Sequence, residues 1–388
     1  NYRKRYRYNG NFSYQYRNQR RGLPIFEPFG GYDITKNFSI RWTHRQDAKA
    51  HPTRKFNANV NLQNPNFSQH SANPHDLING TMSTTNNTMN SSITYNQRFG
   101  RANLTVSGNH TQNNGSQSFT TNLPKASFNV PRFFPLKTND GKSQWYDKLG
   151  MNYSMVAEGR LKGNLGTISE KLDSLAGYNV NDVLREYGQY GVKHTSSLST
   201  NAKLLKYITF SPSANYTERW YFQQYDYVFD AAQNKGVLAD TVSGFTSVRD
   251  FGVNASLNTK IYGTFLFSKG PVKAARLMIT PRATFNFRPD FGTEQWNYYQ
   301  NFTDTLGNSL YYNRYNGFLY GSPGRGSNGA ITFALDNNLE AKVIDRSDTT
   351  GATKKVKLLE RFNINTNYNL AAQDGFNWNI FRVTAASS

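Results

Sequence analysis

The sequence predicts an all-β chain that forms part of a transmembrane antiparallel β-barrel, and three observations support this prediction. Roughly fourteen segments alternate apolar and polar residues with a period of two, as strands with two different faces do. Tight turns alternate with long polar loops, which is typical of outer-membrane barrels. No apolar run approaches the ~20 residues of a membrane helix, so the sequence excludes a helical membrane protein.

The first stretch, Tyr2 to Arg17, shows this alternation clearly. Its even positions carry mainly aromatic residues, with Lys4 and Gly10 as exceptions, whereas its odd positions carry arginines and amides. A soluble sandwich strand would alternate in the same way. The stretch is longer than the usual strand of about 5–6 residues. It is also long enough to cross a bilayer, for which a strand needs ~9–11 residues. The two readings are balanced here, and the following segments favour the barrel.

The later strands keep their apolar faces in register between turn signals. We expect long connections over Asn18–Gly31, Pro65–Thr88, Asp290–Gly329 and Asp345–Lys355, and tight turns at Gly100, near Lys206 and at Ser268–Pro271. Aromatic residues near strand ends resemble the girdles of membrane barrels; they are Tyr32, Trp42, Trp220 and Phe287.

One stretch is helical rather than extended. From Thr167 to Tyr190 the apolar residues recur every three to four positions, which predicts two short helices broken at Gly177. We therefore expect residues 165–191 to form a helical surface-loop insertion within a partial barrel that covers residues 1–388. The chain opens in mid-strand and stops without a closing element, so the sequence predicts an incomplete barrel and an internal portion of a longer exported protein.

The net charge is +20, and the chain contains no cysteine. A basic balance suits nucleic acid, an anionic membrane surface or an anionic cargo. The basic residues recur along strands and at loop tips rather than in one cluster, which favours a lumen or a rim. The candidate lumen-facing cargo contacts are Arg3, Arg5, Arg7, Arg41 and Arg45.

No motif predicts catalysis, a cofactor or a metal site. Gly324–Gly329 matches GxGxxG, but a strand pattern follows it instead of the helix that a dinucleotide site requires. His44, His51, His70 and His75 are close in sequence without the spacing of zinc ligands. We find neither a Ser/His/Asp arrangement nor paired carboxylates, and we expect a protein that is not an enzyme.

Several segments resemble the outer-membrane LPS-assembly proteins (LptD/OstA-like) of the Bacteroidetes type. Trp42 to Pro52, followed by Lys55–Ala58, is similar to the WxHxQDxKAxPxxxFxA pattern of that family. Shorter similarities lie at Asn122–Pro135, Glu218–Tyr221, Arg288–Phe291, Asn337–Lys342 and Lys355–Leu359.

This resemblance implies a translocon in the outer membrane of a Gram-negative bacterium that inserts lipopolysaccharide into the outer leaflet through a lateral gate. It also implies an LptE-like lipoprotein plug, and periplasmic bridge proteins that bind through a jelly-roll domain not found in this chain. Outer-membrane lipid would surround the barrel, and nucleic acid is not expected as a partner.

Other functions stay open at this point. The same pattern suits a TonB-dependent importer, a porin or a protein-export translocon, and channel conductance without a lipoprotein partner would favour the first two. A soluble basic β-protein that binds nucleic acid is a further alternative, which a requirement for detergent would exclude.

Overall fold

The computed structural model describes residues 1–21, 33–63, 88–138, 144–344, 353–372 and 375–387. Strands make up 68% of the chain, so the fold is all-β. The strands are β1 (Tyr2–Lys4), β2 (Tyr8–Arg21), β3 (Asp33–Gln46), β4 (Arg54–Gln63), β5 (Thr88–Phe99), β6 (Ala102–Asn113), β7 (Ser118–Phe133), β8 (Gly150–Asn164), β9 (Gly188–Ser199), β10 (Ala202–Leu204), β11 (Ile208–Asp230), β12 (Lys235–Asn258), β13 (Ile261–Leu266), β14 (Val272–Arg288), β15 (Tyr299–Thr303), β16 (Ser309–Asn313), β17 (Asn328–Ile344), β18 (Thr353–Asn369) and β19 (Arg382–Ala386).

Seventeen of these strands form one antiparallel sheet, and β15 and β16 form a separate hairpin. From β2 to β9 each strand pairs with the next in the chain, and the series continues through β11, β12, β14, β17, β18 and β19. β1 and β10 fold back as short hairpins on β2 and β11. β13 continues the line of β12 and pairs with the first half of β14. This is the barrel-like all-β fold that the alternation predicts.

The registers align the apolar faces of successive strands. Phe12 lies opposite Trp42, and Trp42 lies opposite Val60. Further along the sheet, Leu257 of β12 lies opposite Ala283, which lies opposite Phe333. Side chains on this face are exposed to an unusual degree, as for Phe12 at 59%. An apolar face of this extent, left uncovered by the protein itself, matches the lipid-facing band of a membrane barrel.

The connections differ in length between the two ends of the sheet. At one end, called the short-turn end, the described connections are 1–7 with the β1 hairpin, 47–53, 100–101, 134–138 with 144–149, 200–207 and 259–271. At the other, called the long-loop end, they are 114–117, 165–187, 231–234, 289–327 and 370–372 with 375–381. The predicted loop Pro65–Thr88, apart from Thr88, and most of Asn18–Gly31 and Asp345–Lys355 lie outside the described residues.

Two helices connect β8 to β9, as the sequence predicts. They are α1 (Leu165–Ser174) and α2 (Val180–Tyr187), separated at Gly177, which has a φ of +85°. The Asn164 side chain caps α1 by accepting from the N–H groups of Gly166 and Thr167. Short 3-10 turns occur at Trp145–Lys148 and Glu294–Trp296. None of the described helices is long and apolar enough to cross a membrane.

The prediction of one unbroken strand from Tyr2 to Arg17 is wrong, because the chain turns at residues 5–7. Tyr6 has a φ of +59°, the Arg7 N–H donates to the Lys4 carbonyl at 3.0 Å, and the Arg5 guanidinium lies 4.7 Å from the centre of the Tyr6 ring. The two exceptions to the alternation mark this turn, since Lys4 pairs with Tyr8 and Tyr2 pairs with Gly10. β2 then continues to Arg21, into the segment predicted as a loop.

Gly10 has a packing role that the alternation does not reveal. A Cβ at this position would lie 2.2 Å from Cζ of Tyr2, so only glycine leaves room for that ring. The Tyr2 hydroxyl accepts from Nε1 of Trp42 at 2.8 Å and lies 2.9 Å from Nδ1 of His44. The β1 hairpin is thereby fastened across β2 to β3.

β11 and β12 are much longer than the sequence predicts. They have 23 and 24 residues, whereas the alternating pattern covers only their halves near the short-turn end. The alternation from Phe251 to Phe267 predicts a single strand, but the chain breaks into β12 and β13 at Thr259–Lys260, opposite Pro281. Proline cannot donate a ladder hydrogen bond, which accounts for the break.

We expect Ile168→Asp to release the helices from the sheet without unfolding it. Ile168 is buried with Val183 and Phe119, and an unpaired buried carboxylate costs at least ~2 kcal/mol. Protease cleavage between α1 and α2 should therefore accelerate more than ~10-fold, because it follows the population of the open form. Thr167→Asp adds the same charge at an exposed position of α1 and should leave cleavage unchanged. Equal cleavage of both variants would contradict this packing.

Acid should loosen the contact between the two helices. The Glu186 carboxylate accepts from Lys171 and Tyr178, and these bonds hold its pKa below the usual value. Because the folded pKa is lowered, the stabilisation is complete at neutral pH and is lost as the pH falls through that lowered value. A nitroxide at Ala176→Cys should become more mobile on acidification, and Glu186→Gln should remove the pH dependence. A pH-independent spectrum in the parent would refute the role of this carboxylate.

Candidate functional site

The polar face of the sheet is the candidate functional surface, since it lies opposite the lipid-facing band. Its cross-strand rows pair polar residues with polar residues. In one row Arg3 lies opposite Asn9, Asn9 opposite Arg45, and Arg45 opposite Asn57. Two pairs further along, Ser13 lies opposite Arg41 and Arg41 opposite Asn61. In a barrel these rows line the interior.

The structure brings three of the five candidate arginines onto this face. Arg3, Arg41 and Arg45 are exposed, and none of them takes part in an ion pair between described residues. Arg5 and Arg7 lie instead in the turn between β1 and β2. The backbone alternation therefore does not place their side chains on the polar face, and they belong to the rim at the short-turn end.

Charge is segregated between the two ends of the sheet. Among the described residues of the short-turn connections only Asp47 and Asp147 are acidic, and the basic ones are Arg3, Lys4, Arg5, Arg7, Lys49, Arg101, Lys137, Lys148, Lys203, Lys206, Lys260 and Lys269. We call these basic residues the basic rim. A concentration of one sign of charge raises the local concentration of oppositely charged ligands and accelerates their association.

The long-loop end has the opposite balance. Among its described connections the basic residues are Lys171, Arg185, Arg314 and Arg325, and the acidic ones are Glu170, Asp173, Asp182, Glu186, Asp290, Glu294 and Asp304. Among the described connections the positive charge is therefore concentrated at the short-turn end, while Arg17, Arg20 and Arg21 lie at the end of β2 on the opposite side. Counted over these connections, the charge attracts an anionic ligand more strongly to the short-turn end than to the long-loop end.

A charged cluster also lies on the polar face, between β7 and β8. The Glu158 side chain is almost fully buried, and its carboxylate lies 3.2 Å from Nζ of Lys125 and 3.1 Å from Nη2 of Arg160. The two cations are about 40% exposed at the side chain. One carboxylate between two cations leaves an excess positive charge on this part of the wall.

The connection between β14 and β17, residues 289–327, folds against the polar face of β11 and β12. Phe291, Tyr298, Tyr315 and Phe318 are buried together with two residues of that face, Tyr221 and Val248. The Tyr221 and Tyr315 rings stack at 5.3 Å. We call residues 289–327 the internal loop, because its aromatic core covers the inner rather than the lipid-facing side of the wall.

Hydrogen bonds attach the internal loop to several strands. The Tyr221 hydroxyl donates to the Gly321 carbonyl at 2.7 Å, and Nε of Arg219 donates to the Tyr320 carbonyl at 3.1 Å. The Tyr320 hydroxyl reaches further, to the Val156 carbonyl of β8 at 3.2 Å. Burial raises the pKa of Tyr320 to about 12, so its hydroxyl stays a donor at physiological pH. The loop thus spans the inner wall from β12 to β8.

The Gly324–Gly329 motif lies at the end of this loop and the start of β17, without a following helix. The Gly326 N–H donates to the Asp290 carboxylate at 2.8 Å, so the motif joins the two ends of the loop. No group of His, Asp or Glu that could hold a metal ion occurs among the residues that the structure describes. His70 and His75 lie outside them.

Comparison with protein families adds the decisive observation. A profile of the family described as LptD protein matches residues 1–388. The chain belongs to the LptD family. Membership supports a role in the transport of lipopolysaccharide to the outer membrane, in a family of outer-membrane transport proteins rather than enzymes. No curated protein matches the chain.

Sequence reasoning missed two parts of this site in the LptD-like chain. The basic rim could have been found by assigning the connections alternately to the two ends of the sheet and counting charges. The sequence predicts the internal loop only as a long aromatic loop. A loop surrounded by water has no need for so many large aromatic side chains, which here are Phe291, Trp296, Tyr298, Tyr315 and Phe318. That excess is the signal of a buried core.

Truncation of the aromatic core should release the internal loop and widen the lumen. Phe291 is fully buried, and Phe→Ala changes in such cores cost about 3–5 kcal/mol. Phe291→Ala should raise the single-channel conductance of the barrel in a planar bilayer and expose the loop to protease. Leu306→Ala changes an 83% exposed residue of the same loop and should alter neither quantity. Unchanged conductance and protection in Phe291→Ala would show that the loop is held without this core.

Proposed function

We propose that this chain is the barrel component of an outer-membrane translocon that inserts lipopolysaccharide into the outer leaflet. The observation that carries the proposal is the position of positive charge that takes part in no ion pair between described residues: the basic rim at one end, whose Arg3 also lies on the polar face, and Arg41 and Arg45 on that face beside it. Lipopolysaccharide is anionic at its phosphates. Guanidinium groups bind such oxyanions through charge-assisted, often bidentate, hydrogen bonds.

The charge segregation gives the proposed transport a direction. Barrels of this class place short turns in the periplasm and long loops outside the cell. The basic rim would then face the periplasm and attract the anionic cargo as it arrives, and the cationic rows on β1 and β3 would receive its phosphates inside the lumen. The acidic balance of the long-loop end disfavours binding there, which favours release.

The family resemblance supplies the remaining parts of the proposal. Cargo would arrive from periplasmic bridge proteins through a jelly-roll domain, an LptE-like lipoprotein would plug the lumen, and the lipid would leave sideways through a lateral gate. The similarity of Trp42–Ala58 to the family pattern favours a Bacteroidetes-type member in the outer membrane of a Gram-negative cell.

Charge reversal on the polar face tests the proposal. Arg41→Glu with Arg45→Glu should slow the appearance of newly made lipopolysaccharide at the cell surface severalfold, because the phosphates lose two cations and meet two carboxylates. Both positions are exposed on the inner face, so the amount of folded barrel, measured by heat-modifiable gel mobility, should not change.

The matched control carries the same change of charge at the other end. Arg185→Glu with Lys235→Glu alters two exposed cations at the long-loop end and should leave delivery at the parent rate. If the first pair delivers lipopolysaccharide normally, the inner arginines only hydrate the lumen and the proposed cargo contacts are wrong. If both pairs slow delivery equally, net charge rather than position is the cause.

A further inference from the structure

The helices α1 and α2 stand on the outside of the wall and not over its mouth. They pack through Ile168 and Val183 on Phe119 of β7 and Leu161 of β8. Phe119 pairs with Gly163, and the next pair along the two strands, Thr120–Lys162, lies on the polar face. Because side chains alternate between the two faces of a sheet, Phe119 and Gly163 lie on the apolar face. A Cβ at Gly163 would lie 2.9 Å from Cδ1 of Ile168, so the helix rests directly on the apolar face.

The height of this contact follows from the strand geometry. Leu161 lies eleven residues beyond Gly150, the first residue of β8 at the short-turn end. At ~3.3 Å per residue and a tilt of ~35–45°, this distance corresponds to a rise of about 26–30 Å. The apolar band of an outer-membrane barrel is ~25 Å tall. The helices therefore begin where the band ends, at the level of the outer-leaflet head groups.

The apolar stripe of α1 extends beyond the part that the wall covers. Leu165 and Ile168 pack on the wall, whereas Leu172 and Leu175, which continue the same stripe, are 39% and 51% exposed. α2 behaves in the same way, because Val183 is buried while Leu184 and Val180 are 38% and 65% exposed. Four large aliphatic side chains thus face outward around the end of the helical pair.

The helical pair lies next to the lipid-facing band. A Cβ at Gly188 would lie 2.1 Å from the Leu184 carbonyl oxygen and 2.8 Å from the Tyr190 hydroxyl oxygen. The end of α2 therefore lies directly beside Tyr190. The Tyr190 ring in turn lies over the Gly159 position of β8, beside the Leu123 carbonyl oxygen, and the Leu123 side chain lies over Gly108 of β6. Tyr190 and Leu123 are both exposed on the apolar face.

We propose that α1 and α2 form an interfacial membrane element, in which Leu172, Leu175, Val180 and Leu184 insert into the outer leaflet beside β8 and β9. The occupant of this surface is lipid, because the surface lies at head-group height and extends the band that already contacts hydrocarbon. Helices with an apolar stripe and a polar opposite side lie in this position in membranes. The ion pair Lys171–Glu186 and the tyrosine Tyr178 join the two helices on their polar side. This surface does not depend on the identity of the cargo.

The absence of cysteine makes a direct test practical. Single-cysteine variants Leu172→Cys and Leu184→Cys carry a nitroxide label, and Glu170→Cys is the matched control on α1, since residues two apart point to nearly opposite sides of a helix. The labelled full chain is reconstituted in bilayers with lipopolysaccharide in the outer leaflet. Power saturation then measures collisions with oxygen, which concentrates in lipid, and with a polar nickel chelate, which stays in water.

We expect the oxygen-to-nickel collision ratio to be severalfold higher at residues 172 and 184 than at residue 170. In the Ile168→Asp background, where the helices leave the wall, the difference should disappear. A ratio at 172 and 184 as low as that at 170 would overturn the proposal, because it would place the stripe in water. Protection from both reagents would also overturn it, since it would mean that protein, such as a second copy or another subunit, covers the stripe.

Discussion

The pairing register of the sheet is the constraint on which every other feature depends. Because side chains alternate strictly along a strand, a slip of one residue would exchange the two faces of that strand. In the observed register Phe12, Trp42 and Val60 share the lipid face while Asn9, Arg45 and Asn57 share the inner face. A slip of β3 would carry Arg41 and Arg45 to the lipid side, where an arginine at mid-depth costs about 2–4 kcal/mol. The polar residues therefore fix the register as firmly as the apolar ones do.

The membrane-crossing parts of the strands could be predicted from the sequence, because the bilayer imposes the alternation there. Beyond the bilayer this constraint ends. The far halves of β11 and β12 carry residues such as Asp240, Thr241 and Ser243, which show no apolar face, although backbone pairing continues. The pattern was also insufficient at residues 5–7, where a single residue with a positive φ reverses the chain inside an apparently regular run.

The candidate site was predictable to the extent that it is local. Arg41 and Arg45 follow from alternation within β3, and their position on the inner face agrees with it. The internal loop depends on contacts between Phe291 or Tyr315 and Tyr221, which lie 70 or more residues apart, and no periodicity reports such contacts. For Arg5 and Arg7 the sequence predicts a position on the polar face of a strand. In the structure they lie instead in the turn at the rim.

In the orientation proposed above, with the long-loop end outside the cell, the attachment of the internal loop has a consequence for variation at the cell surface. Besides its aromatic core, the loop is held through part of its main chain, because Gln189, Arg219 and Tyr221 donate to the carbonyl oxygens of Gly317, Tyr320 and Gly321. Two of these acceptors are glycines with positive φ, so the path of the backbone matters more there than side-chain chemistry. Solvent-facing positions of the loop can therefore diverge under pressure from antibodies or phages without loosening its anchorage. A surface segment built in this way can change its antigenic appearance while the passage beneath it keeps the same shape.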